Sequence, residues 1–107
     1  MTITKEELNE RKTYGNISEN ATVKLQEYSI MGSLINEKQV TGTMFGDDEC
    51  WEINEFYQYL ETEKTLYKVY FEISDELMEN INNGTADMGD VDYTKAYKYE
   101  EYEIVEE

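Results

Sequence analysis

From Thr65 to Ile73 the side chains alternate in character. Tyr67, Val69, Phe71 and Ile73 point one way; Leu66, Lys68, Tyr70 and Glu72 point the other. A period of two in aromatic and β-branched residues specifies an extended strand. A strand is stable in water only within a sheet that has an apolar face to bury, so this segment commits the chain to a sheet. Tyr93 to Val105 is the best candidate to pair with it. There Tyr93, Tyr97, Tyr99 and Glu101 share one face, and Ala96, Tyr102 and Ile104 the other. Val40 to Phe45, closed by Gly46-Asp47-Asp48, reads as a further short strand.

Helical signals are interleaved with these strands. Thr4-Lys5-Glu6-Glu7 is a capping box, which predicts a helix to about Lys12 anchored only by Leu8 and broken at Tyr14-Gly15-Asn16. Ser18 to Asn36 carries both periods. Val23 and Leu25 alternate with Thr22, Lys24 and Gln26 as in a strand, while Ala21, Leu25, Tyr28, Gly32 and Ile35 recur at helical spacing. The second pattern favours a helix. Asp48 is placed to cap another, in which Ile53, Phe56, Tyr57 and Leu60 form the apolar stripe and Glu52, Glu55 and Gln58 face away. Ser74-Asp75-Glu76 starts a last short helix, with Leu77, Met78 and Ile81 inward and Asn82-Asn83-Gly84 ending it. Thr85 to Asp92 is a loop rich in Asp and Gly.

No repeat or linker interrupts the 107 residues, a length that fits one domain with a thin core. The elements predict an α+β fold: a small, mostly antiparallel sheet packed against two or three short helices.

Charge divides this single domain in two. Residues 1–46 hold six acids and five bases, a net charge of -1; residues 47–107 hold nineteen acids and four lysines, a net charge of -15. Solubility is usually met by a net magnitude of about 2–8 in a small domain. A larger excess costs stability by self-repulsion. The acidity therefore points to a functional face. A chain of charge -16 is repelled by nucleic acid and by anionic membranes, so neither is expected as a direct partner.

Composition removes several chemistries. The chain has no histidine, hence no imidazole base, nucleophile partner or metal ligand. Cys50 is the only cysteine, which rules out an internal disulfide and a cysteine-rich zinc site. Beside Trp51 and behind three acids it reads as a half-buried apolar residue whose thiolate is disfavoured. Asp90, Asp92, Thr94 and Glu101 match four positions of a calcium loop, but Lys95 stands where that loop needs glycine. Carboxylate pairs such as Asp47/Asp48 and Glu100/Glu101 would need a cleft for acid–base work, a thin single domain has little room to build one, and nothing marks one pair above the others. No enzyme activity, metal or cofactor is expected. The longest nearly apolar stretch, Ile30 to Ile35, is far shorter than the ~20 residues of a membrane helix. No hydrophobic leader follows Met1, so the sequons at Asn16, Asn20 and Asn83 carry no weight and a reducing bacterial cytoplasm is expected.

The acids themselves are the candidate site: Asp47, Asp48, Glu49, Glu52 and Glu55, then Asp75, Glu76 and Glu79, then Asp87, Asp90 and Asp92, with Tyr57 and Tyr59 among them. Helix neighbours such as Glu76 and Glu79 stand about 5–6 Å apart. DNA carries a charge per ~3.4 Å along each strand, so carboxylates at such intervals fill Lys and Arg subsites that otherwise hold phosphates. Tyrosine adds rigid area with a polar tip, as binding interfaces favour.

A proline-free, histidine-free chain dense in Glu, Tyr, Asn and Ile resembles the small acidic proteins of phages and mobile elements in AT-rich bacteria. Among these it resembles anti-CRISPR proteins that act as DNA mimics. The resemblance lies in composition along the whole chain; the candidate residues come from the charge pattern. It implies a non-enzymatic inhibitor whose partner is a basic nucleic-acid-binding protein, a type II CRISPR effector nuclease foremost, blocked at its DNA-binding cleft. Two other readings fit the same charge. One is an acidic immunity protein or antitoxin that neutralises a basic nuclease toxin; the other is a structural or regulatory domain acidic only for solubility.

Overall fold

A computed structural model describes residues 1–12, 16–47 and 49–106. In chain order the elements are β1 (Thr2–Thr4), α1 (Lys5–Lys12), β2 (Asn16–Tyr28), β3 (Leu34–Gly46), β4 (Trp51–Glu52), β5 (Glu55–Glu61), β6 (Thr65–Phe71) and α2 (Asp75–Asn82). A 3-10 turn at Met88–Asp90, β7 (Lys95–Ala96) and β8 (Lys98–Val105) complete it.

The strands form one mixed sheet in the order β1-β8-β6-β5-β3-β2-β7, with β4 paired to β5. The pairs β1–β8 and β2–β7 are parallel and the others antiparallel. β7 and β8 are one run of chain, interrupted only at Tyr97. Its first part pairs with Lys24 and Leu25 of β2, and its second with Tyr70 to Thr65 of β6. The Tyr97 N–H donates to the Tyr70 carbonyl at 3.1 Å, bridging the two parts. The two ends of the sheet therefore meet on a single segment, and the sheet closes into a small barrel.

Its interior is filled by Val23, Leu25, Met44, Phe56, Leu60, Val69, Phe71, Val91 and Ala96. Ile73, Leu77, Met88, Tyr93 and Trp51 pack against this cluster, so α2 and the 84–94 connection cap it. A second cluster lies on the outer face, where α1 lays Leu8 on Ile3, Phe45 and Leu66. β6 is thus buried on both faces, Val69 and Phe71 inside and Leu66 and Tyr70 outside.

The capping signals at both helices are borne out, while Tyr14 and Gly15 of the expected break lie outside the described residues. The Thr4 hydroxyl accepts from the Glu7 N–H at 3.1 Å, and the Glu7 carboxylate accepts from that hydroxyl at 3.1 Å. Ser74 caps α2 by accepting from the Leu77 N–H at 3.1 Å, and Gly84 takes a φ of +79° just beyond its end. The expected pairing of the 65–73 and 93–105 segments is also observed, antiparallel.

Three expectations are corrected. The fold is not a small sheet packed against two or three helices. Among the described residues it is dominated by eight strands, with α1 and α2, of eight residues each, as the only α-helices. Ser18 to Asn36 is not a helix but the hairpin of β2 and β3. The alternation of Val23 and Leu25 prevails because both enter the barrel, and Gly32, with φ +84°, makes the turn that a helix would have had to cross. Residues 53–60 are likewise not a helix but a turn followed by a strand. Ile53 and Asn54 both have positive φ, 39° and 65°, and form the two-residue turn between β4 and β5. Phe56, Gln58 and Leu60 then point inward. The inward Gln58 hid the period of two: a polar residue, only 7% exposed, stands where an apolar one would have announced a strand. Its amide is satisfied, donating to the carbonyls of Asp47 at 3.0 Å and Tyr57 at 2.8 Å.

Candidate functional site

Nine cations serve twenty-five acids in this chain, so where they are used decides where the excess charge lies. Six lysines form ion pairs with acids of the strands and termini. Lys5 meets Glu106 and Lys12 meets Glu61, each at 2.6 Å, and Lys38 meets Glu101 at 2.5 Å. Lys98 meets Glu55 at 3.2 Å, Lys24 meets Glu37 at 4.0 Å, and Lys68 meets Glu52. Such pairs at a surface contribute little stability. Their effect is to lower the charge of the sheet, although outside residues 69–94 the chain still holds eighteen acids against nine cations.

Among the described residues no ion pair reaches the acids of the cap, although the Lys95 charge acts on Asp92 and Lys95 shares a cleft with Glu72. Residues 69–94 contain no Lys or Arg and seven acids: Glu72, Asp75, Glu76, Glu79, Asp87, Asp90 and Asp92. All seven are exposed. Asp75 and Glu76 occupy the first turn of α2, where the helix dipole favours negative charge. The Asp87 carboxylate accepts from the Gly89 N–H at 2.8 Å, and the Asp90 carboxylate from the Asp87 N–H at 3.1 Å, fixing the 3-10 turn. Asp92 accepts from the hydroxyl and the N–H of Thr94, which holds its carboxyl below the usual range. Asp87, Asp90 and Asp92 are thus held in place while exposed.

Asp47 adjoins the same cap. Asp47 and Asp87 line one cleft of about 690 Å³, together with Ser18, Gln58, Met88 and Tyr93. Glu49 is exposed beside it, its N–H bonded to the Asp47 carboxylate at 2.8 Å. Asp48 lies outside the described residues. Cys50 is half-buried; burial raises its thiol pKa and the Asp47 charge adds to this. Among the described residues no three metal-capable side chains converge.

Glu52, Glu55, Tyr57 and Tyr59 fall elsewhere. They belong to a lattice on the outer face of the sheet in which rings and carboxylates surround cations. The Lys68 ammonium lies 4.3 Å from the Tyr57 ring centre and 5.5 Å from that of Tyr70. Burial alone would lower its pKa, but hydrogen bonds to Glu52 and Tyr70 outweigh this and raise it. Lys68 in turn depresses the Glu52 carboxyl. The Arg11 guanidinium covers the Tyr59 ring at 5.2 Å. The Tyr97 hydroxyl donates to Glu55 and the Tyr70 hydroxyl to Glu100, both at 2.9 Å. The predicted residues therefore separate into an uncompensated set, Asp47, Glu49, Asp75, Glu76, Glu79, Asp87, Asp90 and Asp92, and a compensated set of two acids and two tyrosines. Glu72 is an addition to the first set. The signal that marks it is the run of 26 residues, 69–94, without a cation.

Among the described residues no helix is long and apolar enough to cross a membrane. No protein-family model matches the chain, and no characterised protein or solved structure is significantly similar to it.

Proposed function

We propose that this protein is a non-enzymatic inhibitor whose acidic cap occupies a cationic nucleic-acid-binding cleft, that of a bacterial defence nuclease such as a type II CRISPR effector. One observation carries this reading: residues 69–94 hold seven exposed acids and no cation, whereas six of the eight lysines pair with acids of the strands and termini. An acidic surface needed only for solubility gains nothing from such segregation, because mixed charges serve as well. A concentrated anionic face steers association with a basic cleft and fits the subsites that bind phosphates. The inhibition is competitive occlusion: the target binds either duplex or inhibitor.

The test is cleavage of a labelled duplex by a panel of type II effector nucleases. Wild-type protein at near-stoichiometric concentration stops cleavage by at least one member, and prior binding of target duplex protects that enzyme. The D75N/E76Q/E79Q variant, folded by circular dichroism, inhibits about tenfold or more weakly at low salt. Equal inhibition by wild type and variant, or no inhibition across the panel, refutes the proposal.

A further inference from the structure

The β2–β3 hairpin ends in a turn of unusual composition. The Gly32 N–H donates to the Ser29 carbonyl at 2.9 Å, and the Ser29 N–H to the Ser33 carbonyl at 2.8 Å. With Gly32 at φ +84°, this is a three-residue hairpin loop of the type I turn and G1 bulge kind. Its corner positions normally carry polar residues. Here they carry Ile30 and Met31, 105% and 89% exposed. Tyr28 and Leu34, paired across the hairpin and both exposed, extend the apolar surface on one face, and the exposed Ile35 lies on the other. Residues 28–36 include no charged side chain, although 32% of the chain is charged. Contiguous exposed apolar surface of this kind marks a contact site.

The charge of the molecule selects what covers it. A second copy brings another -16, and an anionic lipid surface is repelled for the same reason. The tip also adjoins the acidic cap: Tyr28 and Glu72, the first acid of the cation-free run, line one cleft of about 340 Å³ with Gln26, Lys95 and Tyr97. A partner that contacts Glu72 therefore lies beside Tyr28, at the base of the hairpin.

We infer that Ile30 and Met31 anchor the complex by entering an apolar pocket beside the cationic cleft of that same partner. The inference rests on the function proposed above and adds to it a division of labour: the cap supplies steering and salt dependence, the hairpin supplies slow dissociation. The turn is held by backbone hydrogen bonds, so the I30S/M31S variant keeps the fold.

The experiment titrates wild type, I30S/M31S and D75N/E76Q/E79Q into an inhibited type II effector at several salt concentrations. The expected result for I30S/M31S is inhibition weakened about tenfold or more with the wild-type salt dependence retained, as for loss of an apolar hot spot. The cap variant changes the salt dependence instead. Full inhibition by I30S/M31S overturns the anchor and leaves the cap reading standing, whereas no inhibition by wild type removes both. Two controls name the other occupants. Self-association of wild type in sedimentation, or its binding to phosphatidylcholine vesicles, abolished in either case by I30S/M31S, overturns the inference in favour of a second copy or of lipid.

Discussion

Leu60 and Ile53 exchange roles between the helical and the extended reading of residues 53–60, and the exchange is measurable. On a helix both belong to one apolar stripe. In the barrel Leu60 is fully enclosed, at 0% exposure, while Ile53 sits on a hairpin turn at 91%. Leu60→Ala removes three carbons from a closed interior. At ~0.8 kcal/mol per carbon the transfer loss is about 2.4 kcal/mol. The cavity left among Phe56, Val69 and Met44 raises the cost to roughly 3 kcal/mol or more. Ile53→Ser removes no buried contact, and its cost stays within about 0.5 kcal/mol. Urea unfolding followed by Trp51 fluorescence reads the difference, since Trp51 packs on Phe56 with ring centres 5.3 Å apart. With a slope of about 1.5 kcal/mol per molar urea, Leu60→Ala lowers the midpoint by roughly 2 M and Ile53→Ser by less than about 0.4 M. Comparable losses for the two variants would refute the strand assignment and the barrel built on it.

Further outcomes test other parts of the account. A Cβ on Gly42 would collide with the Glu61 carbonyl across β3 and β5, so Gly42→Ala costs about 2 kcal/mol in the same urea assay; a neutral effect contradicts the close strand approach. The Tyr70 and Tyr97 phenols are raised above their usual value of 10.0, first by burial and then by donating to Glu100 and Glu55. A raised phenol binds its proton more tightly in the folded state. Their contribution is thus complete below the unfolded value and is lost as pH rises above it. The urea midpoint should be level from about pH 8 to 9 and fall above about pH 10, less steeply in Tyr97→Phe; a midpoint that rises over that interval contradicts the assignment. Raising salt from about 0.01 to 0.3 M shortens the screening length several-fold and relieves repulsion within the cap, so the melting temperature rises. A fall would mean that the exposed ion pairs outweigh that repulsion.

The parts of the fold that were legible in the sequence are those fixed by neighbours in the chain. Thr4 and Ser74 cap helices with groups three residues away, and β6 displays its alternation directly. The errors arose where a local pattern had two readings. At residues 18–36 both periods were present, and only the turn at Gly32 decides between them. At residues 53–60 a satisfied buried amide, Gln58, broke the apolar alternation. Closure of the barrel depends on the interruption at Tyr97, where one segment passes from β2 to β6, and no local pattern encodes such a change of partner. The candidate site shows the same division. The acids of 75–92 are visible as a run, whereas the neutralisation of Glu52 by Lys68 and of Glu55 by Lys98 joins residues far apart in sequence. Charge counting along the chain treats all these acids alike; pairing across the sheet separates them.

Competition between this protein and duplex DNA for a type II effector that it inhibits, measured by fluorescence anisotropy across a salt series, tests the central claim most directly. The expected result is mutually exclusive binding whose affinity falls with salt, as it does for DNA, and whose salt slope becomes shallower in D75N/E76Q/E79Q. Simultaneous binding of duplex and protein, or an affinity indifferent to salt and to those three acids, would contradict it.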